Sequence, residues 1–396
     1  MSFLQSTLSV LLLLSCSCWS ALGEAHSTTG PWNLASLYRP PAATWGLRTN
    51  RLQEVYYEGE PFHGKPTRIF AYYARPDQGD GPFPAMVLVH GGGGKAFPAW
   101  ADHWAQRGYT ALAMDLSGND PNGRLPDGGP DQSDATKFRD FTTAEAKEMW
   151  TYHAVAAVIL GHSLLETQKE VDKRRIGITG ISWGGYLTCI VAGLDHRLKV
   201  AVPVYGCGFL DQNSFWVPTF EKMPAEIRQR WVALFDPSQY LGEVDCPILF
   251  LNGSNDFAYP MDSYQKSYRL VKKSPMSLSL HIRLPHGHNW TFKEVDAFVD
   301  SQLKGGEPVP SLAEMKIAGD VASARFHSKV PVIKTEFNYT TDSGPWQKRE
   351  WKTIDASWEA ESIISVRVPK ERPLVCFLSL TDERDVTITT PHVELK

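Results

Sequence analysis

Residues 175–185 read RIGITGISWGG, and this stretch decides the fold. A strand-like run ends at Gly180, a G-x-S-x-G pattern surrounds Ser182, and an apolar helical pattern covers residues 186–194. A serine on such a turn has a strained backbone, and larger flanking side chains would clash with the neighbouring strand and helix. The dipole of the following helix favours negative charge beside it. The stretch therefore predicts a nucleophilic Ser182 whose hydroxyl projects from the end of a sheet strand.

Strand-like and helix-like segments alternate on both sides of this stretch. The apolar strand patterns cover residues 68–74, 85–89, 109–116, 175–180, 198–205, 247–251 and 277–284. The helical patterns cover residues 100–107, 142–170, 186–194 and 292–303. Alternation of this kind predicts an α/β fold, with a mostly parallel sheet covered by helices on both faces.

The pattern changes after the Gly305-Gly306-Glu307-Pro308 linker. Hydrophobic residues then recur with period two, as in residues 364–368, and turn residues separate the runs. This predicts a small antiparallel β-domain over residues 320–396, behind a larger α/β domain over residues 26–306. Within the larger domain, the aromatic-rich residues 208–242 form an insertion that is a candidate lid.

A run of four glycines follows His90 directly after the strand at residues 85–89. Glycines let backbone amides approach a ligand without obstruction. A phosphate loop would need Gly at position 89 and Ser or Thr at position 96, which are Val89 and Ala96. The better interpretation is an oxyanion loop, organised by His90, which holds the negative charge of an acyl-transfer intermediate. The candidate donors are the amides of Gly91, Gly92, Gly93 and Trp183.

An acid and a histidine follow the next two strand ends. Asp256 comes after the strand at residues 247–251, and His286-Gly287-His288 comes after the strand at residues 277–284. A serine needs a histidine to take its proton, and that histidine needs a carboxylate to orient it. The chain order Ser, Asp, His is that of hydrolases. Asp211 and Asp262 are rival acids less directly placed at a strand end, and either histidine can serve as base.

The glycine loop, the GxSxGG turn and the following Asp and His resemble the α/β-hydrolase superfamily over roughly residues 66–305. Within it, RIGITG at 175–180 and NGSND at 252–256 resemble the acetyl xylan esterases, dienelactone hydrolases and prolyl-oligopeptidase-like proteins. The resemblance implies Ser182 as nucleophile, Asp256 as acid and His288 as base, because the related pattern places a glycine before the working histidine. It implies no metal or organic cofactor.

The expected function is a serine esterase that cleaves acyl esters, with an acetylated polysaccharide such as xylan as substrate. A prolyl-oligopeptidase-like peptidase stays open because the same triad cleaves amides. A catalytically silent carbohydrate-binding protein is the alternative outside enzymes. Two further alternatives are a metal pair formed by His286 and His288, and a lid whose aromatic residues pack only on themselves. The candidate substrate-binding side chains are those of Trp216, Trp231 and Trp290.

Composition and the N-terminus bear on partners and compartment. Forty Lys and Arg against 44 Asp and Glu leave a net charge of −4, which argues against a nucleic-acid partner. Residues 8–14 are apolar and small residues follow, which predicts a signal peptide over residues 1–25 and a secreted or periplasmic protein. A lipid-anchored Cys16 is the alternative. No later segment has the pattern of a membrane span, and the sequence does not indicate an oligomeric state.

Four cysteines follow the expected signal peptide, and none belongs to a CxxC pair. The apolar surroundings of Cys189, Cys207 and Cys246 predict free buried thiols, although a bridge between Cys207 and Cys246 is compatible with an exported protein.

Overall fold

The computed structural model describes residues 29–288, 290, 292–359 and 362–396. The expected signal peptide and Cys16 lie outside these residues. In the part of the chain that is described, no helix has the length and apolar character needed to cross a membrane.

One large sheet organises the first three quarters of the chain. The strands in this part are β1 (Ala43–Thr49), β2 (Leu52–Phe62), β3 (Lys65–Ala74), β4 (Phe83–Val89), β5 (Thr110–Met114), β6 (Asn119–Asp120), β7 (Gly123–Arg124), β8 (Val171–Ile181), β9 (Val200–Val204), β10 (Ile248–Gly253) and β11 (Met276–His281). Strands β6 and β7 form a separate ribbon, and the other nine follow the order β1-β2-β3-β5-β4-β8-β9-β10-β11. From β5 to β11 the neighbours are parallel, and β1 to β3 extend the sheet in antiparallel fashion. The predicted α/β class is confirmed.

Helices cover both faces of this sheet. They are α1 (Leu34–Leu37), α2 (Pro98–Gln106), α3 (Asp134–Lys137), α4 (Trp150–Leu165), α5 (Trp183–Leu194), α6 (Val217–Lys222), α7 (Ala225–Phe235), α8 (Met261–Tyr268) and α9 (Lys293–Leu303). Helices α4 and α5 contact each other on one face, while α2 and α9 meet on the other through an Arg107–Asp300 ion pair of 2.6 Å. Every residue of α4 is buried, which explains why its sequence is apolar all round rather than on one stripe.

The C-terminal part consists of antiparallel strands, as predicted. They are β12 (Ser311–Leu312), β13 (Lys316–Ala318), β14 (Val321–His327), β15 (Val332–Thr340), β16 (Lys352–Asp355), β17 (Ser357–Glu359), β18 (Ile363–Arg367), β19 (Leu374–Asp382), β20 (Thr387–Thr389) and β21 (Val393–Leu395). They form two sheets, of which one follows the order β12-β14-β18-β17 with β13 on β14, and the other β16-β15-β19-β20 with β21 on β19. The first of these strands begins at Ser311, before the expected boundary at residue 320.

These sheets dock against the edge of the large sheet at β11. The side chains of Phe377 and Ile388 join the main hydrophobic core. The Ser279 hydroxyl in β11 donates to the carbonyl of Thr387 in β20 at 2.6 Å. A small sheet is marginal in water on its own, so burial of its apolar face here stabilises it.

The four cysteines in the described residues are free and buried, as predicted for Cys189, Cys207 and Cys246. The bridge between Cys207 and Cys246 is not formed. Burial raises the pKa of the Cys246 thiol to about 12, so this thiol is unreactive near neutral pH.

Candidate active site

Ser182 lies on the turn between β8 and α5, with φ 61° and ψ −120°. A positive φ is a strained conformation for a residue with a side chain, and here neighbouring strands hold it in place. The amide of Ser182 donates to the carbonyl of Val204 in β9 at 2.9 Å. A β-carbon at Gly184 would overlap the carbonyl oxygen of Val89, and one at Gly185 would overlap that of Val204. The glycines of the motif therefore let α5 begin directly against the sheet.

Asp256 lies in the loop after β10 and is 2% exposed. Its Oδ1 accepts the amide hydrogens of Ala258 and Tyr259 at 2.9 and 2.8 Å, which fixes the carboxylate. Its Oδ2 lies 2.6 Å from Nδ1 of His286. Because a carboxylate accepts hydrogen bonds at this distance, Nδ1 carries the proton and Nε2 of the neutral ring is free to accept one.

His286 is held from its faces as well. Its ring stacks on Tyr205 with centroids 4.4 Å apart, and Phe257 contacts it edge-on at 4.8 Å. The hydroxyl of Tyr205 donates to the carbonyl of Pro285 at 3.0 Å, next to the histidine itself. Tyr205 directly follows β9, whose last residue, Val204, accepts the Ser182 amide. One tyrosine thus connects the histidine loop to the nucleophile turn, and the sequence analysis assigned it no role although it occupies a strand end.

His288 takes a different place from the one expected. The sequence analysis paired it with Asp256, whereas the structure gives Asp256 to His286. Nε2 of His288 instead accepts the amide hydrogen of Gly91 at 3.1 Å. The chain bends after β11 through Arg283, which has φ 53°, so the first histidine of the loop meets the acid. Burial, and then the neighbouring His286, lowers the pKa of His288.

His288 nevertheless lies near the serine. A β-carbon at Gly91 would be 2.8 Å from Nε2 of His288 and 2.8 Å from Cβ of Ser182, so the imidazole borders the nucleophile across this glycine. The Ser182 hydroxyl has no hydrogen-bond partner among the described residues. Such bonds are often long before a substrate binds, so this separation is compatible with either histidine as base.

The rival residues have other partners. Asp211 forms an ion pair with Arg228 at 3.0 Å, and Asp262 accepts both its hydrogen bonds from Asn213. Neither is available to orient a histidine. The metal-pair alternative has no geometric support, because the described residues contain no group of three ligating side chains around His286 and His288.

The glycine loop supplies fewer free amides than expected. The amide of Gly91 is taken by His288, and that of Gly93 donates to Oε1 of Gln132 at 3.2 Å. Within the described residues, the amides of Gly92 and Trp183 have no partner, so these two remain available to an oxyanion. His90 organises the loop as predicted: its Nε2 accepts the amide hydrogen of Leu116 and its Nδ1 lies 2.8 Å from the carbonyl of Gly91. Burial lowers the pKa of His90 to about 4, which keeps the ring neutral.

The three tryptophans predicted to bind substrate are not together. Trp231 is fully buried and its indole donates to the carbonyl of Lys137 at 2.8 Å, so it belongs to the core and not to the site. Trp216 is 7% exposed and its ring lies 4.5 Å from that of Trp183. Trp290 packs on Trp100, which also contacts His288. Trp216 and Trp231 of the candidate lid thus pack on residues outside residues 208–242, and the lid stays a prediction.

The C-terminal part touches the loops of the site. The side-chain amide of Asn255, the residue before Asp256, donates to the carbonyls of Trp346 and Arg349 at 3.2 and 2.8 Å. Arg283, before the histidines, forms an ion pair with Glu350. One C-terminal segment, residues 346–350, thus contacts both the acid loop and the histidine loop.

Comparison with known proteins agrees with this geometry. The sequence model of the acetyl xylan esterase (AXE1) family matches residues 42–217, a little under half of the chain. The acetyl xylan esterase of Paenibacillus sp. R4 has a similar structure, with a TM-score of 0.57 and 21% identity over 68% of this chain and 92% of that one. Acetyl xylan esterase 1 of Thermoanaerobacterium gives a TM-score of 0.53 and 17% identity over 70% of this chain and 95% of that one.

A curated relative is the acetyl esterase Axe7A of Xylanibacter ruminicola. It is 22% identical over 253 residues, which are 58% of this chain and 54% of that protein. The chain thus matches only about half the length of this relative. From the fold, the nucleophile turn and these matches together, the chain has the fold of the α/β hydrolases and resembles the acetyl xylan esterases.

Proposed function

We propose that the protein is a serine carboxylic ester hydrolase that works through an acyl-enzyme. The observation that carries the proposal is the 2.6 Å Asp256–His286 hydrogen bond, whose histidine is linked through the stacked Tyr205 to the strand that accepts the Ser182 amide. Ser182 attacks the ester carbonyl, and Nε2 of His286 takes its proton and returns it to the leaving alcohol. His286 then activates the water that hydrolyses the acyl-enzyme, and Asp256 stabilises the imidazolium form.

The free amides of Gly92 and Trp183 suit the negative charge that develops in this reaction. Each donor of an oxyanion hole is worth roughly 3–4 kcal/mol of barrier when it is held in place beforehand. Gly93 and Gly91 contribute by fixing the loop, since their own amides already have partners.

For the substrate, we propose a short acyl ester, with acetyl groups on a polysaccharide such as xylan as the natural case. The matches to acetyl xylan esterases and to an acetyl esterase support this choice. So does the apolar contact next to the nucleophile, where Trp183 and Trp216 are buried and pack on each other and leave room for no more than a short acyl group in our proposal. We further propose that residues 1–25 export the protein, with lipid attachment at Cys16 as the alternative. Sequencing the N-terminus of secreted material would distinguish the two.

Labelling with a fluorophosphonate tests the nucleophile directly. We expect one label per chain in the native protein and none in Ser182→Ala. Turnover of an aryl acetate and an aminoacyl anilide then separates esterase from peptidase, and acetate, butyrate and octanoate esters measure the acyl preference. Absence of labelling in the native protein would support the silent carbohydrate-binding alternative, and faster cleavage of the anilide would support a peptidase.

A further inference from the structure

Two phenyl rings are exposed at the rim of the site and contact each other. Phe215 is 60% exposed and Phe257 is 50% exposed. Their ring centroids lie 5.6 Å apart at 85°, an edge-to-face pair. The amide of Phe215 donates to the carbonyl of Ala258 at 3.2 Å, so the two loops are joined beside the rings. Single exposed apolar residues are common, but a fixed pair in contact at a catalytic rim calls for an explanation.

The pair borders the proposed base. The ring of Phe257 lies 4.8 Å from that of His286. Phe215 contacts Trp216, and Trp216 contacts Trp183 next to the nucleophile. The two phenyl rings therefore connect the proposed base, through Phe257, with the tryptophan that packs on Trp183, through Phe215.

The direction of proton transfer tells which part of the substrate meets these rings. The base that takes the serine proton must deliver it to the leaving oxygen, so that oxygen lies within hydrogen-bond distance of His286. Whatever the leaving oxygen carries then extends past His286 toward Phe257. The acyl group lies on the other side of the carbonyl carbon, so it does not extend past His286.

We propose that Phe215 and Phe257 form a binding platform for the alcohol part of the ester, selecting alcohols that carry a ring with a flat apolar face. This inference rests on the proposed esterase function and on His286 as base. A pyranose presents such a face through its C–H groups, and an aryl alcohol presents one through its ring. Aromatic side chains bind both by burying apolar area at low conformational cost.

The test compares three acetate esters that differ only in the alcohol. Ethyl acetate has no ring, phenyl acetate has an aryl ring, and an acetylated methyl xylopyranoside has a sugar ring. Phe257→Ala should lower kcat/KM for both ring-bearing esters more than for ethyl acetate. We expect the two decreases to differ by at least about tenfold, mainly because KM rises for the ring-bearing esters. Phe257→Tyr keeps a flat ring and should restore most of this difference. Phe215→Ala should act in the same direction.

Trp358→Ala is the matched control, because Trp358 is an aromatic residue of similar exposure, 43%, in β17 of the C-terminal part. It should change none of the three esters. A larger loss for the sugar ester than for phenyl acetate identifies a carbohydrate platform, and the reverse identifies an aryl platform. Equal losses on all three esters, or no loss, would overturn the proposal. Absence of fluorophosphonate labelling in the native protein would instead refute the esterase function itself.

Discussion

The described residues include two buried histidine–aspartate pairs with nearly the same geometry. Nδ1 of His286 lies 2.6 Å from Oδ2 of Asp256, and Nδ1 of His162 lies 2.8 Å from Oδ2 of Asp195. They are associated with opposite ends of α5. Ser182 directly precedes the first residue of α5, and Asp195 directly follows the last. About 18 Å of helix therefore separates Ser182 from Asp195.

The two pairs differ in what surrounds them. His162 and Asp195 are 1% and 0% exposed, and Arg197 adds two hydrogen bonds to Asp195. Burial alone would raise the pKa of Asp195, but His162 and Arg197 outweigh it and hold the pKa far below its usual value. Nε2 of His162 is buried and has no partner among the described residues. The pair has no nucleophile to serve, so it joins α4 to the end of α5.

His286 has a side chain that is 13% exposed, and its ring stacks on Tyr205, the residue after the Val204 carbonyl that accepts the Ser182 amide. The comparison teaches that a carboxylate on one ring nitrogen orients a histidine in either setting. What lies beside the other nitrogen decides whether the pair does chemistry. The following predictions test this distinction.

Replacing the nucleophile should have the largest effect. Ser182→Ala should reduce ester turnover by roughly 10⁴- to 10⁶-fold, because no other group forms the acyl-enzyme. The free energy of unfolding should not fall, because the change removes one hydroxyl group and leaves the packing around residue 182 in place. Residual activity within tenfold of the native enzyme would reject Ser182 as nucleophile.

The two histidines of the loop should then separate. His286→Ala should lose about 10³- to 10⁵-fold in kcat, since the base and its oriented carboxylate are lost together. His288→Ala should lose less, about 10- to 100-fold, because its contact with the Gly91 amide positions the loop. The opposite ranking, measured with the same aryl acetate, would return the base role to His288, as the sequence pattern alone suggested.

Breaking the His162–Asp195 pair should change the stability of the protein and not its activity. His162→Ala leaves Asp195 buried with only Arg197, and we expect the free energy of unfolding to fall by about 3 kcal/mol. Activity per folded molecule should stay within about threefold, because the site is distant and shares no partner. Denaturant unfolding and active-site titration on the same sample check both. A catalytic loss comparable to that of His286→Ala would erase the distinction between the pairs.

A third buried histidine should make stability depend on pH. Burial lowers the pKa of His153 to about 4, while in the unfolded chain it stays near 6.5. The unfolded state therefore takes up a proton first as the pH falls, and stability is lost between pH 6.5 and 4. When the pH falls from 7.5 to 5, this histidine should lower the free energy of unfolding by about 2 kcal/mol. Over that range, the free energy of unfolding of His153→Gln, measured in urea, should fall by correspondingly less than that of the native protein. Equal decreases in the two proteins would contradict the low pKa of His153 in the folded state.

The contact between the C-terminal segment and the acid loop should have the smallest effect. Asn255→Ala should reduce kcat about tenfold with little change in KM, because the neighbouring acid is then less well positioned. Gln265→Ala is the control, since Gln265 makes a similar bond across the same junction, 2.8 Å to the carbonyl of His392. Both changes should cost about 1 kcal/mol of stability. Equal effects of the two on kcat would show that Asn255 contributes only to docking.

Much of this architecture is predictable because burial leaves a clear sequence pattern. The strands of the parallel sheet are apolar throughout, as in β4, where all residues from Pro84 to Val89 are buried. The nucleophile turn is predictable because only glycines fit beside it. The sequence pattern does not reveal β1, a mostly exposed edge strand, or β2, which contains Gly59 and Pro61 on a half-exposed surface.

The details of the site were harder to predict because they depend on loop conformation. Spacing places an acid and two histidines at neighbouring strand ends, but the bend at Arg283 decides which histidine meets Asp256. Trp231 illustrates the same limit. The sequence shows that an aromatic residue lies in the insertion, but it does not show whether that residue faces a substrate or the core. The role of Tyr205 likewise follows from the side-chain stacking and not from its position in the sequence.

The contacts of residues 346–350 couple the two parts of the chain thermodynamically. Asn255 and Arg283 connect this segment to both loops of the site, so unfolding the C-terminal sheets removes support from the acid and the histidines. Linkage is reciprocal: whatever binds the ordered site must stabilise the sheets by the same free energy. A covalently inhibited enzyme should therefore show slower amide hydrogen exchange in β19 and β20, far along the chain from the label. The C-terminal sheets would then act as a sensor of the state of the active site.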